Sequence, residues 1–463
     1  MNKSKLARFL DTFSKEDWRA LAQFTENPFF NQRSEAISLL HILQKSRSQG
    51  KPYPDKEKVF QQIFGVGPYD DQRVRMAMSA LLQTAEKYLA VRDFIQDKPA
   101  YQFRLCRTLR QRNLHTAASE TWLDGANDLK NRPWRNAEYH YEWYKFQEEK
   151  YRAIHQLPEV ETMAIQPLSD QLDVAFLSRK LWQCCFLLAH QARYNTACNF
   201  GFLDSILPYA EKYLHLPAVS IYYRCYLALT QPGENQHFQL FKNELFENDT
   251  LFPPEELQDL YILAINFCTR RYNEGDLRFL HDQFDLYKRG FDKNYFLSEG
   301  VLSRFTYLNA ATIGLNVQDF EWVEKFITEY TQHLDIQHRE SLFAFNMARL
   351  EYQKSNLGDA LFLLQRAEYK ETMLALAAKT LQLKIYYELE EFDLLESHLQ
   401  ATAAFIRRKK IMGYHRDNYI NLMHIVHKIM QMDRSDRQTL RQTIHETKPL
   451  AEKEWLLSRL GDF

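Results

Sequence analysis

The chain has 463 residues, 45% of them apolar, with Lys+Arg 59 against Asp+Glu 60. That is ample apolar material for a large core, and the charge balance excludes a global field drawing the chain to nucleic acid or to an anionic membrane. Gly 13 and Pro 14 are both scarce, leaving too few turn formers for a strand-rich architecture, so helices are the expectation throughout.

Three regions follow one another without an obvious flexible linker: 1–97, an N-terminal helical bundle; 98–250, an irregular helical-repeat region; and 251–463, a solenoid of helix pairs ending in a capping helix. At the start, residues 1–13 mix Lys, Arg and Asp with single apolar residues, so no signal peptide is expected. Ser14-Lys-Glu-Asp17 has the form of a helix N-terminus with acids in its first turn, and Asn27-Pro28 ends that helix. Asn31 is expected to open the next, which runs to about Ser48. Asp55 caps a short helix that stops at Gly65, and a long amphipathic helix covers about Asp70 to Ile95. In the last, Val74, Met78, Leu81, Leu82, Ala85, Leu89 and Phe94 recur at helical spacing and predict one buried stripe.

The middle region is aromatic. Between Ala137 and His155, Tyr139, Trp143 and Phe146 share one helical face, while Tyr141, Tyr144 and Tyr151 lie nearly opposite. Two explanations stay open for that helix: packing on two sides between neighbouring repeats, or an aromatic stripe that faces a ligand. The stretch Gln231 to Asn235, around Pro232-Gly233, is expected to be an exposed loop.

Toward the C-terminus three stretches fall into one phase: Tyr307 to Thr328, Asn346 to Ala367 and Gln382 to Thr402, each reading as helix, short polar turn, helix. Their apolar anchors Phe320, Leu357 and Phe392 are 37 and 35 residues apart. In the best unit Ala348 stands where the first helix meets the second, Asn356-Leu-Gly-Asp359 forms the turn, and Ala360, Leu364 and Ala367 mark the second helix. This part of the chain resembles the tetratricopeptide-repeat family, whose period is about 34 residues. The resemblance covers about a quarter of the chain. It departs from the family at Gly314-Leu315, where aromatics are usual, and at Leu383 and Leu395, where small residues are. A fourth unit, Ile265 to Leu280, is suggested by the same phase. The resemblance implies an all-α fold, a right-handed α-solenoid of helix pairs, with the N-terminal bundle ahead of it.

Motifs that carry chemistry are scarce along the chain. No phosphate-binding loop, Gly-x-Gly-x-x-Gly or His-Glu-x-x-His occurs. The cysteines at 106, 184, 185, 198, 225 and 268 lack zinc-site spacing and read as buried or half-buried free thiols of a reducing compartment. Glu234 and His237 give one Glu-x-x-His, where a di-iron bundle needs two. His424 and His427 are a helical turn apart with no third ligand at matching spacing. Arg407-Arg-Lys-Lys410 precedes Gly413, where the helix dipole and C-cap favour cations. The expectation is no catalytic residue, no cofactor and no metal.

The reading that results is a cytoplasmic, non-catalytic scaffold or adaptor that captures a protein or peptide. The alternative is a regulator whose solenoid, on binding a ligand or peptide, repositions the N-terminal bundle; an enzyme or RNA-binding protein fits less well. No membrane partner is expected, and nucleic acid is disfavoured. In the family the first helix of each pair lines the concave groove. Carried over, that implies Asn309, Thr312, Phe345, Arg349, Tyr352, Lys384 and Tyr387 as the binding surface. Phe345 stands where the family's clamp for C-terminal carboxylates has a Lys, so an acidic or aromatic-rich internal segment is the expected ligand.

Overall fold

The structure is a computed structural model and describes residues 1, 3–154, 165–431 and 437–461; His155, the end of the expected aromatic helix, lies outside them. The chain divides into two units, Met1–Cys184 with Phe200–Tyr223, and Cys185–Asn199 with Arg224–Phe463.

The first unit opens with α1 (Lys5–Leu10), α2 (Lys15–Glu26), α3 (Ser34–Ser48), α4 (Lys56–Phe64) and α5 (Asp71–Gln96). Ser14 caps α2 in a reciprocal box: the Asp17 N–H donates to Ser14 Oγ at 3.1 Å, and the Ser14 N–H donates to Asp17 Oδ2 at 2.9 Å. Asn31 does not open α3 as its residue type suggests. It is buried, and its amide donates to the carbonyls of Thr25 and Arg33, which fixes the loop and delays the helix to Ser34. Helix α5 is central, packing on α1, α2, α3 and α4. Its buried stripe is Val74, Ala77, Ala80, Leu81, Thr84, Ala85 and Tyr88, whereas Phe94 is exposed.

Next come α6 (Lys98–Gln111), α7 (His115–Asn131), α8 (Ala137–Ile154), α9 (Gln166–Tyr194), α10 (Leu203–Ala210) and α11 (Pro217–Thr230), with α9 from Cys185 and α11 from Arg224 onward belonging to the second unit. On the aromatic helix α8, Phe146 is buried and Tyr141 is exposed. Gly125 of α7 lets Phe146 approach so closely that a Cβ there would lie 2.6 Å from its ring.

In the second unit α12 (Asn235–Glu247) leads to pairs α13 (Pro254–Asn273) with α14 (Arg278–Asp292), α15 (Arg304–Asn316) with α16 (Phe320–Tyr330), α17 (Arg339–Gln353) with α18 (Leu357–Arg366), and α19 (Thr372–Glu388) with α20 (Phe392–Arg408). Each helix packs on the next, and the first helices touch their counterparts one pair on, α15 with α17 and α17 with α19. This is an all-α solenoid of helix pairs, the arrangement in which each unit buries its apolar stripe only by stacking on its neighbours. A short antiparallel ribbon, β1 (Leu297–Ser298) with β2 (Val301–Leu302), interrupts it and turns through Glu299 and Gly300, both at positive φ.

One turn closes the first helix of each pair. Gly275 (φ 100°), Gln318 (62°), Ser355 (65°) and Glu390 (59°) are left-handed. The N–H of the residue after each donates five residues back: Asp276 to Arg271 at 3.1 Å, Asp319 to Gly314 at 3.1 Å, Asn356 to Glu351 at 2.8 Å and Glu391 to Tyr386 at 3.0 Å. These are Schellman closures, and the suggested fourth unit carries one too. Three use a residue other than glycine, so the repeat lacks the punctuation that normally exposes it in a sequence. Gly314, out of pattern for the family, has a packing reason: a Cβ there would sit 2.5 Å from Val323 Cγ2 and 3.1 Å from the Trp322 ring.

The end of the array is α21 (Gly413–Met430), α22 (Arg437–Glu446) and α23 (Lys453–Arg459). Trp455, Leu456 and Leu460 join one core with Leu383, Leu399, Val426 and Ile444.

Candidate functional site

The helix-pair phase brings side chains from successive first helices to face one another. Five of the seven expected surface residues, Thr312 on α15, Phe345, Arg349 and Tyr352 on α17, and Lys384 on α19, line one cavity of about 510 Å³. Asn309 is exposed on α15 and Tyr387 is half-buried on α19, and neither is in its lining. Tyr387 instead meets the Trp455 ring edge-on, with centroids 5.4 Å apart.

Arg349 is the centre of the site. Its Nη1 donates to Thr312 Oγ1 at 2.9 Å and to Asn346 Oδ1 at 3.4 Å, both neutral acceptors, and its guanidinium lies 5.6 Å from the centroid of the buried Phe345 ring. The Thr312 hydroxyl donates to the Leu308 carbonyl at 2.7 Å, which leaves its oxygen lone pairs to accept from Arg349. Among the described residues no carboxylate comes within ion-pair reach of Arg349. Burial therefore pushes its pKa down to about 10, against the opposing field of Glu452.

Lys384 is held differently. Its Nζ donates to Glu452 Oε2 at 2.9 Å and lies 5.0 Å from the Tyr352 ring and 5.7 Å from that of Trp455. Beneath it, Glu388 Oε1 accepts from the Tyr352 hydroxyl at 2.6 Å and from Trp455 Nε1 at 2.9 Å, with Arg459 at 3.4 Å. Burial first, then this hydrogen bond, raises the Tyr352 phenol, which stays protonated and fixed in orientation.

Part of the lining that motif reading missed carries the same period. Asn316 and Gln353 are 37 residues apart, as are Thr312 and Arg349, and Thr380 follows Phe345 by 35. Extending the phase over whole helices finds them. Tyr419, Ala451 and Glu452 come from the end of the array, and no periodicity points to them.

The lining holds two cations, one carboxylate and no histidine or cysteine. Elsewhere, the Glu234 carboxylate turns onto His237 at 3.0 Å, and His424 and His427 line a separate cavity between α20 and α21 with Glu396. Among the described residues no three His, Cys, Asp or Glu side chains stand together as metal ligands, and no helix is long and apolar enough to cross a membrane. Cys106, Cys184, Cys185, Cys225 and Cys268 are buried, and Cys198 is half-buried.

No protein-family model and no curated protein matches this chain. Among solved structures it is similar to a chain of the APC/C hetero-tetramer Cut9–Hcn1, at 12% identity over 96% of this chain and 87% of that one, with a TM-score of 0.28. A likeness that loose carries no argument, so the solenoid rests on the helix pairing and turns described above.

Proposed function

We propose that this chain is a non-catalytic scaffold or adaptor whose pair-first helices bind an extended segment of a partner protein, acidic or aromatic-rich in sequence. The observation that supports this most is the convergence of Thr312, Phe345, Arg349, Tyr352 and Lys384, from three successive first helices, on one cavity. Two cations over aromatic faces, in a wall of mixed polar and apolar groups, match the anchors that dominate peptide interfaces. A lining with a single carboxylate offers no acid–base pair for hydrolysis, which favours binding over catalysis. Its six thiols suit a reducing cytoplasm.

The test is recovery of a stoichiometric partner from the native host by pull-down and mass spectrometry, followed by affinity measurement. The double change Arg349→Ala and Lys384→Ala should weaken that partner by roughly 2 kcal/mol or more while the melting curve stays nearly intact. Unchanged affinity moves the site, first to the aromatic helix α8 around Tyr141 and Tyr144. These two rings stack with centroids 6.2 Å apart, and Tyr141 is exposed.

A further inference from the structure

Glu452 is out of place by local rules. It stands immediately before α23, at the N-cap position, in a left-handed conformation (φ 53°) that residues other than glycine seldom adopt, and its side chain makes no cap hydrogen bond. A helix start gains nothing from that arrangement. What the carboxylate does reach is the cavity, bonding Lys384 across 68 residues of sequence.

The cavity is larger than this one group, and its charge is uneven. Arg349 and Lys384 face a single acid, which pairs with Lys384 and leaves Arg349 bonded to neutral oxygens only. Arg349 is half-buried with no carboxylate partner among the described residues, and its planar fork matches a carboxylate better than it matches a hydroxyl and an amide. The Lys384–Glu452 pair is the weaker contact to give up. Glu452 is 37% exposed, so on release its carboxylate returns to water at small cost.

We propose that the Arg349–Lys384 cavity is a subsite for the side-chain carboxylate of an aspartate or glutamate in the bound segment, and that Glu452 is an internal occupant which that carboxylate displaces. The inference rests on reading the array as peptide-binding. Leu308, Leu315 and Leu381 in the same wall offer apolar surface to the methylenes and backbone that flank the acid. A free inorganic anion has nothing to place there. The recognised group is therefore a carboxylate carried on a chain, not a free ion.

The probe is a phage-displayed library of random dodecapeptides, panned on the full chain, on Glu452→Gln and on Arg349→Gln, with melting curves to show that each variant is folded. Selected peptides should be enriched in Asp and Glu on the parent chain, and the enrichment should vanish on Arg349→Gln. By fluorescence anisotropy, a selected acidic peptide should bind Glu452→Gln about tenfold more tightly than the parent, a gain of about 1.4 kcal/mol, because it no longer has an internal carboxylate to displace. Replacing its acids by amides should abolish that gain. Selection of peptides without acidic enrichment keeps the groove and sinks the carboxylate subsite. Equal affinity for parent and Glu452→Gln sinks the displacement, and glutarate competing as well as the peptide makes the ligand a free small carboxylate. Failure to select any peptide overturns the groove reading itself.

Discussion

The N-terminal bundle and the C-terminal array solve the same burial problem in different ways. In the bundle, α5 touches four earlier helices, and its links span long stretches of chain: Arg92 to Asp17 over 75 residues, Tyr88 to Asp17 over 71 and Lys5 to Glu86 over 81. In the array most links jump one repeat only, as in Arg349 to Thr312 over 37 residues, Tyr352 to Glu388 over 36 and Tyr330 to Phe291 over 39. A bundle wired through one helix should lose structure as a whole, whereas a stack of nearest neighbours should lose it locally. The difference also accounts for where the cavity forms. Successive first helices present matched positions to one another, which a bundle closed around its central helix does not do.

The sharpest way to break this comparison is to remove the helix that ends the array. Truncation at Lys448 takes away Trp455, Leu456 and Leu460, which should cost on the order of 5 kcal/mol from three side chains at about 1.5–3 kcal/mol each. It also leaves Leu383 and Val426 facing water. Light scattering should detect self-association; a soluble, monomeric and equally stable truncate would count against the capping role.

In the bundle, Leu81 is fully buried on α5, and Leu81→Ala should cost about 2–5 kcal/mol. Hydrogen exchange should rise together across α1 to α5. If protection falls near Leu81 alone, the bundle is not one cooperative unit.

The matching change in the array is smaller and confined. Ala360 and Ala348 are both fully buried where α18 meets α17, so Ala360→Leu should overpack the pair and cost about 1–3 kcal/mol. Exchange should quicken in α17 to α19 and not in α13 or α14. A melting curve equal to the parent's would show the close approach to be more forgiving than its burial implies.

The smallest effect is a pH dependence that the array shares with the aromatic middle region rather than with the bundle. His140 on α8 and His398 on α20 are held below the ordinary imidazole value of 6.5, chiefly by burial, with Arg135 and Lys379 adding positive charge nearby. Hydrogen bonds to Gln171 and to the Lys379 carbonyl oppose the shift. The folded chain therefore binds fewer protons than the unfolded one. Their neutral-state stability is complete above about pH 6.5 and is lost as pH falls through that value toward the lower folded-state one. His398→Gln keeps a donor for the Lys379 carbonyl and removes the titration. Melts at about pH 7.5 and about pH 5.5 should then lie closer together for the variant than for the parent.

The helical class, the capping of α2 by Ser14 and the phase set by Phe320, Leu357 and Phe392 were legible along the chain, because each depends on spacing within one helix or on one nearly constant period; the five cavity residues followed from the family resemblance laid over that phase. The anchors themselves proved to be markers and not core: Phe392 is 44% exposed, and burial falls on Leu395 and Leu399 instead. Asn31 misled because a buried amide serves whichever carbonyls the fold brings near it, and Thr25 lies across a loop. Sequence by itself therefore determined that helix pairs form and which faces of their first helices look the same way. Only the tertiary structure decided that Glu452, 68 residues beyond Lys384, enters the cavity and leaves Arg349 without a carboxylate. Charge pairing between distant segments depends on where the chain returns, and no local period encodes that return.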